Sequence, residues 1–368
     1  MPLLLALLLF LLSTTAAFAD SSLYRSDDGG RTWAALDTAP PVQSVFDVAV
    51  DPARPGHLLL ASEQSLWTSP DDGATWTQLP FTDGAVFALT PDPDNPARLW
   101  AATERGVWRS DDAGADWRPS GDTTPAVVAL VASRNGGQLR LIGGGGEGVT
   151  VSTDEGAHWN VDSPGLEGAV TALGLTPDNE LLVGTTVGLF ARAETEADFT
   201  MVRGLPRGGS RAIYVAPDGT TYAAVVGNLY RRENGWIKLT TLPLAINGDS
   251  PAVETILRVD DRILAGSDHA LHSSENGWKP VPPFDALAYL ETAAFAQDPR
   301  QPDRIWLGAS TVPNSVAHAR VGVLPNSASV ETPDDRLTIA LTLVFLVGGL
   351  LIVVYMRRLS RQESTPPA

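Results

Sequence analysis

The chain has no cysteine in 368 residues, which excludes a disulfide scaffold, an iron–sulfur or thiolate zinc centre and a cysteine nucleophile. Basic residues are few, with Lys+Arg at 26 against 43 Asp+Glu and a formal net charge of −17. So acidic a chain holds a phosphate backbone poorly, because that affinity comes from neutralising phosphates with Lys and Arg; nucleic acid is not an expected partner. No Asn-x-Ser/Thr sequon occurs, and with the missing cysteines this points to a bacterial rather than a eukaryotic secretory protein. There is no Gly-x-Ser-x-Gly nucleophile elbow, and the Gly143-Gly144-Gly145-Gly146 run lacks the Gly-Lys-Ser/Thr of a phosphate loop, so it reads as a turn. What the chain does have is turn-formers: 34 Gly and 28 Pro. That is more than a helical protein tolerates, and it predicts many short strands joined by turns.

Both ends carry membrane signals. Leu3 to Leu12 is an almost unbroken leucine run, followed by Ala17-Phe18-Ala19 before Asp20, the small-x-small pattern of a secretory cleavage site, so residues 1–19 read as a signal peptide. Residues 337–356 hold no charge over 20 positions, about 30 Å as a helix, and are expected to span a bilayer. Arg357, Arg358 and Arg361 follow the apolar run while Asp334 and Asp335 precede it. This bias places the tail 357–368 in the cytoplasm and everything before the span outside the cell membrane, with residues 325–336 as a stalk. The exported part and its anchor, residues 20–356, carry a net charge of −19.

Internal repetition sets the fold. Four copies of Ser-x-Asp-x-Gly-x-x-Trp stand in register: Ser26, Asp28, Gly30, Trp33; Ser69, Asp71, Gly73, Trp76; Ser110, Asp112, Gly114, Trp117; and Ser152, Asp154, Gly156, Trp159. Three eroded copies end at Phe199, Trp236 and Trp278, so the steps between terminal aromatics are 43, 41, 42, 40, 37 and 42 residues. A period near 42 is one four-stranded propeller blade. Each box follows a short apolar strand, so it reads as a hairpin connection in which Asp accepts backbone N–H groups, Gly takes a positive φ and Trp covers the junction between sheets. A second turn interleaves, with Asp51-Pro52, Asp92-Pro93 and Asp298-Pro299 each opening a connection between two strands. The chain opens on a box and closes on an unboxed strand pair. The expectation is an all-β, seven-bladed β-propeller over residues 20–324 whose N-terminal hairpin completes the last blade, with Val316 to Val323 as a candidate extra strand.

These boxes resemble the Asp-box, or bacterial neuraminidase repeat, and the likeness covers nearly the whole exported region. The motif lies at the blade periphery in sialidases, sortilin-type receptors and photosystem II assembly factor propellers alike, so the resemblance implies architecture and no particular chemistry. A sialidase would require an Arg-Ile-Pro segment, three arginines on the substrate carboxylate, a Tyr nucleophile with a Glu partner and an acid/base Asp. No Arg-Ile-Pro is present, and Tyr24, Tyr214, Tyr222 and Tyr230 sit inside strand patterns. Resemblance to the assembly factors implies a chaperone-like role on a membrane complex, although their binding surface is basic and this chain is acidic. Resemblance to sortilin-type receptors implies peptide capture in the channel, although their disulfide-rich companion domain has no counterpart here.

Propeller ligands usually meet the ring at the mouth of its channel. Aligning the innermost strands on the Asp that ends each places Ser44, Thr171, Arg211, Glu254 and Glu291 at equivalent positions, with Ala85 and Ala126 in blades two and three. Arg211, Glu254 and Glu291 are the candidate ligand-binding set at the mouth, and the same three suit a salt-bridge network lining a solvated channel. Metal is not expected: Asp27-Asp28-Gly29-Gly30 and Asp71-Asp72-Gly73 lack the alternating oxygens and twelfth-position Glu of an EF-hand, and His57, His158, His269, His272 and His318 are scattered. No cofactor and no catalytic residue is indicated. The reading is a non-catalytic, membrane-anchored propeller that binds another membrane or extracytoplasmic protein as a scaffold; the alternative is a degenerate sialidase-like glycoside hydrolase or a carbohydrate-binding protein.

Overall fold

Seven antiparallel four-stranded sheets follow one another around a ring in the computed structural model, which describes residues 22–310 apart from 52, 82–83, 122–124, 136, 243–251 and 285–290. The innermost strands of blades one to seven are Val45–Val50, Val86–Pro91, Ala129–Asn135, Val170–Leu175, Ala212–Val215, Val253–Val259 and Glu291–Asp298. Each touches the innermost strand of the next blade, and the seventh touches the first, so the ring is closed. The expected signal peptide (1–19), stalk (325–336), membrane span (337–356) and tail (357–368), and the candidate strand at Val316 to Val323, lie outside the described residues. Among the described residues no helix is long and apolar enough to cross a membrane. The chain divides into two units, Met1–Val323 and Leu324–Ala368, and every described residue belongs to the first.

Closure uses both ends of the propeller. Leu23–Ser26 pairs with the last strand, Gln301–Ser310, in the register Leu23↔Gly308, Tyr24↔Leu307, Arg25↔Trp306 and Ser26↔Ile305. The seventh blade is thus two strands from the end of the chain and two from its beginning. Leu23 and Tyr24 are buried, and Tyr24 meets Phe284 edge-on at 4.9 Å.

The second strand of each blade is sandwiched between sheets on both faces, and its sequence shows it. Leu58–Ser62, Leu99–Thr103, Leu181–Thr185 and Thr221–Val225 are buried at every position, reading as continuous apolar runs rather than an alternation. Toward the axis the blades converge, and the residue paired just beyond the start of each innermost strand is small in all seven: Ala61, Ala102, Gly144, Gly184, Ala224, Gly266 and Gly308. Space is the reason. A Cβ at Gly184 would lie 2.3 Å from the Ser210 carbonyl oxygen, and one at Gly308 would lie 2.5 Å from Val45 Cγ1.

The four full boxes fold alike. The serine Oγ accepts the glycine N–H at 2.8–2.9 Å and donates to the aspartate at 2.8–3.0 Å. That aspartate accepts the backbone N–H four residues on, at 2.8–2.9 Å. The indole Nε1–H closes the turn on the glycine carbonyl at 2.9–3.1 Å. Gly30, Gly73, Gly114 and Gly156 stand at φ between +85° and +91°, a region that costs an L side chain about 1–2 kcal/mol. Each indole packs on a core shared with the preceding blade: Trp33 with Leu257 and Leu264, Trp117 with Leu59 and Leu66, Trp159 with Trp100 and Val107.

Candidate functional site: the channel mouth

Five of the seven innermost strands begin with a bulge. Their registers shift between Val45 and Asp47, Val86 and Ala88, Val170 and Ala172, Val253 and Thr255, and Thr292 and Ala294. A bulge bends its strand and re-aims the extra residue; here those residues are Phe46, Phe87, Thr171, Glu254 and Ala293. Val128 and Arg211 precede the first paired residues of the other two strands and complete the ring. These seven side chains line one end of an axial cavity of about 340 Å³.

The ring is divided. Phe46, Phe87 and Val128 form a buried apolar cluster with Ala85 beside it, the two phenyl rings 5.6 Å apart. Across the mouth, Arg211 donates to Glu254 Oε1 at 2.7 Å, an ion pair joining blades five and six. Thr171 Oγ1 donates to the Ser210 carbonyl at 2.5 Å, joining blades four and five. Burial opposes the charge on Arg211, but the fields of Glu254, Glu291 and Asp268 and the hydrogen bond to Glu254 hold its pKa above the usual arginine value. The guanidinium therefore stays charged at any working pH. Asp268 Oδ1 in turn sits 2.6 Å from His269 Nδ1 and accepts the Ala252 N–H at 2.9 Å.

The expected equivalence holds for three residues and shifts for four. Thr171, Arg211 and Glu254 occupy the same position in blades four to six. Ser44, Ala85, Ala126 and Glu291 each lie two residues before the mouth residue of their own blade. Ser44 Oγ is 2.8 Å from Ser310 Oγ, and Glu291 pairs with Ser310 across the strand, so both belong to the seam between blades seven and one. The turn aspartate is not at a constant distance from the mouth, which accounts for the shift. In blades one, two and seven the aspartate precedes a proline (Asp51-Pro52, Asp92-Pro93, Asp298-Pro299), whereas in blades four and five it follows one (Pro177-Asp178, Pro217-Asp218). The proline stands six residues after the mouth residue in all five. Anchoring on proline finds Phe46 and Phe87, the half of the site that the carboxylate-led reading passes over.

A second cavity, of about 320 Å³, adjoins the first through Arg211. It lies between the loop leading into blade five (Arg207, Gly208, Gly209), the Val226–Gly227 hairpin and the start of blade six (Ala252, Val253). Among the described residues no group of three or more His, Asp or Glu side chains is arranged to hold a metal ion. His272 is buried on the third strand of blade six, Leu271–Ser273, where burial and the neighbouring His269 push its pKa down to about 4 despite a backbone hydrogen bond that raises it.

No family model matches the chain, and no curated protein matches it. Solved structures do. YCF48 bound to a D1 peptide is 14% identical at a TM-score of 0.56, with 73% of this chain and 94% of that one covered. The extracellular domain of a putative one-component system from B. thetaiotaomicron is 14% identical at a TM-score of 0.56, covering 73% and 40%. The GH74 xyloglucanase from Xanthomonas campestris is 19% identical at a TM-score of 0.53, covering 69% and 50%. The chain spans only 38–50% of the GH74 enzymes it matches. At these identities the likeness is one of fold: the protein is a seven-bladed β-propeller whose structural neighbours include both YCF48 and GH74 propellers.

Proposed function

We propose that this protein is a membrane-anchored, extracytoplasmic propeller that binds another membrane or extracytoplasmic protein at its channel mouth and serves as a scaffold rather than an enzyme. The observation that carries the reading is the division of the mouth into an apolar half and an ion-paired half. Glu254 is engaged by Arg211 at 2.7 Å across a blade junction, an arrangement that holds the ring together and offers amphipathic surface. YCF48, which this chain covers almost end to end, is a propeller seen with a peptide bound. The apolar leader, the 20-residue uncharged run and the arginines after it supply the address.

Crosslinking in intact membranes, with the full chain carrying an affinity tag, tests this directly. A reproducible protein partner is expected, captured from the extracytoplasmic side. The second reading, a degenerate glycoside hydrolase, draws on the GH74 neighbours and on Glu254 and Glu291 lying close to the mouth. Glycan turnover by the purified protein, abolished in Glu254→Gln or Glu291→Gln, would establish that reading and overturn the scaffold.

A further inference from the structure

We propose that the cavity on the rim of blade five binds an acidic, extended segment of the partner protein, with a carboxylate on Arg207 and an aliphatic side chain against Val226. This rests on the scaffold reading and names the chemistry its partner must bring. The first observation is the placement of charge. Many arginines of the described propeller are committed to carboxylates of neighbouring blades: Arg304 to Asp72, Arg98 to Glu155, Arg134 to Asp92, Arg192 to Asp162, Arg258 to Asp218. Arg203 and Arg207, on the loop leading into blade five, are exposed and make no ion pair with another described residue. No Asp or Glu occurs between Asp198 and Asp218, although the chain as a whole is strongly acidic. This is a local reversal of sign at the edge of the mouth, where field lines from an acidic ligand would converge.

The second observation is Val226. The hairpin between Val225 and Asn228 has two central residues, both at positive φ, +49° for Val226 and +66° for Gly227. Such turns favour Asn-Gly, and a β-branched residue there is strained by about 1–2 kcal/mol. Val226 is nevertheless 44% exposed, one of three large apolar side chains so placed among the described residues. Its N–H is held by the Gly209 carbonyl at 3.0 Å, its carbonyl accepts Asn228 Nδ2 at 2.8 Å, and a Cβ on Gly208 would strike its Cγ2 at 2.4 Å. The apolar group is thereby fixed at the lip of a cavity whose other flank is cationic. A guanidinium fork beside an aliphatic wall suits a carboxylate flanked by aliphatic residues, because each half of the ligand meets its own kind of surface.

The test uses the full chain in detergent micelles and two fluorescein-labelled octapeptides, one of alternating Glu and Leu, one of alternating Gln and Leu. The Glu peptide is expected to bind at least about tenfold more tightly, with affinity falling as salt rises. Arg207→Gln should cost the Glu peptide about fivefold or more and leave the Gln peptide unchanged. Val226→Gly should weaken both peptides while raising the melting temperature, so lost binding cannot be lost folding. Arg118→Gln, at the periphery of blade two, should bind as the unaltered protein does. Equal affinity for the two peptides, full binding by Arg207→Gln, or preference for a uronate oligosaccharide would each overturn the proposal. Membrane crosslinking separates the two readings. If Arg207→Gln captures the same partner at undiminished yield, the rim site falls and the scaffold stands; if no partner is captured while the acidic peptide still binds through Arg207, the scaffold falls and the site stands.

Discussion

The box glycines offer a paired experiment in which the backbone penalty is constant and the space is not. Gly73 and Gly156 both sit at φ +87°, so replacing either by alanine forces an L residue into the left-handed region at about 1–2 kcal/mol. A Cβ at Gly73 would find its nearest neighbour, Leu36 Cδ1, at 3.5 Å, which is ordinary contact. A Cβ at Gly156 would lie 2.0 Å from Ser120 Oγ, which now donates to the Gly156 carbonyl at 3.0 Å. Accommodating it means displacing a buried hydroxyl, with about 1 kcal/mol lost in the hydrogen bond and about 1–2 kcal/mol in overpacking. Gly73→Ala is therefore expected to cost about 1–2 kcal/mol and Gly156→Ala about 3–5 kcal/mol, read by tryptophan fluorescence during urea unfolding. In a Ser120→Ala background, where the remaining Cβ is 3.4 Å away, the Gly156→Ala penalty should fall back to that of Gly73→Ala. If the two alanine variants lose equal stability, or if the extra loss survives removal of the Ser120 hydroxyl, the steric account is wrong.

His272 should make the propeller acid-sensitive. Its pKa is about 4 in the fold against about 6.5 in an unfolded chain, so between those values only the unfolded state takes up the proton and stability falls as pH drops, by about 2–3 kcal/mol from pH 7 to pH 4.5. Urea midpoints across that range should show the fall, and His272→Asn should flatten it. Arg211→Met is expected to destabilise by about 3 kcal/mol at pH 7, because it strands the Glu254 carboxylate, whose side chain is 3% exposed. A second change, Glu254→Gln, should recover much of that loss in a double-mutant cycle. Deleting residues 1–36 removes two strands of the seventh blade along with Leu23, Tyr24 and Trp33, and size-exclusion chromatography should then report aggregation or expansion instead of a discrete ring; a monodisperse product of unchanged circular dichroism would contradict the closure.

Acidity and arginine content are two sides of one design. Of the 26 basic residues only Lys238 and Lys279 are lysines. An arginine spans every blade junction among the described residues: Arg304 to Asp72, Arg54 to the Ala113 carbonyl, Arg98 to Glu155, Arg192 to Asp162, Arg232 to Glu180, Arg258 to Asp218 and Arg31 to Glu275. Individually such contacts, most of them partly exposed, contribute about 0–1 kcal/mol, yet the guanidinium fork fixes direction, and seven of them set each sheet against the next. The surplus carboxylates remain free to face solvent. Against that background a pair of arginines without carboxylate partners is a departure that charge totals alone conceal.

How much of this was legible follows from the range over which each signal acts. The blades were readable because box, strand and turn lie within a dozen residues, and each copy repeats the same local hydrogen bonds between Ser69, Asp71 and Gly73 or their counterparts. The closure was readable from the count of strands, since a leading box without its own inner pair needs Gln301–Ser310 beside it. The mouth was half readable. Arg211 and Glu254 stand out as charges in apolar strands, but Phe46, Phe87 and Val128 look like core residues; bulges aim the two phenylalanines at the axis, and Val128 stands just before the first paired residue of its strand. The landmark decides which half is found: aspartate makes side-chain hydrogen bonds on either side of a turn and drifts by two positions, whereas proline fixes its own φ and must occupy the same place in the turn each time. Repeat alignments of other propellers should therefore be anchored on backbone-constrained residues, and the channel positions read outward from them.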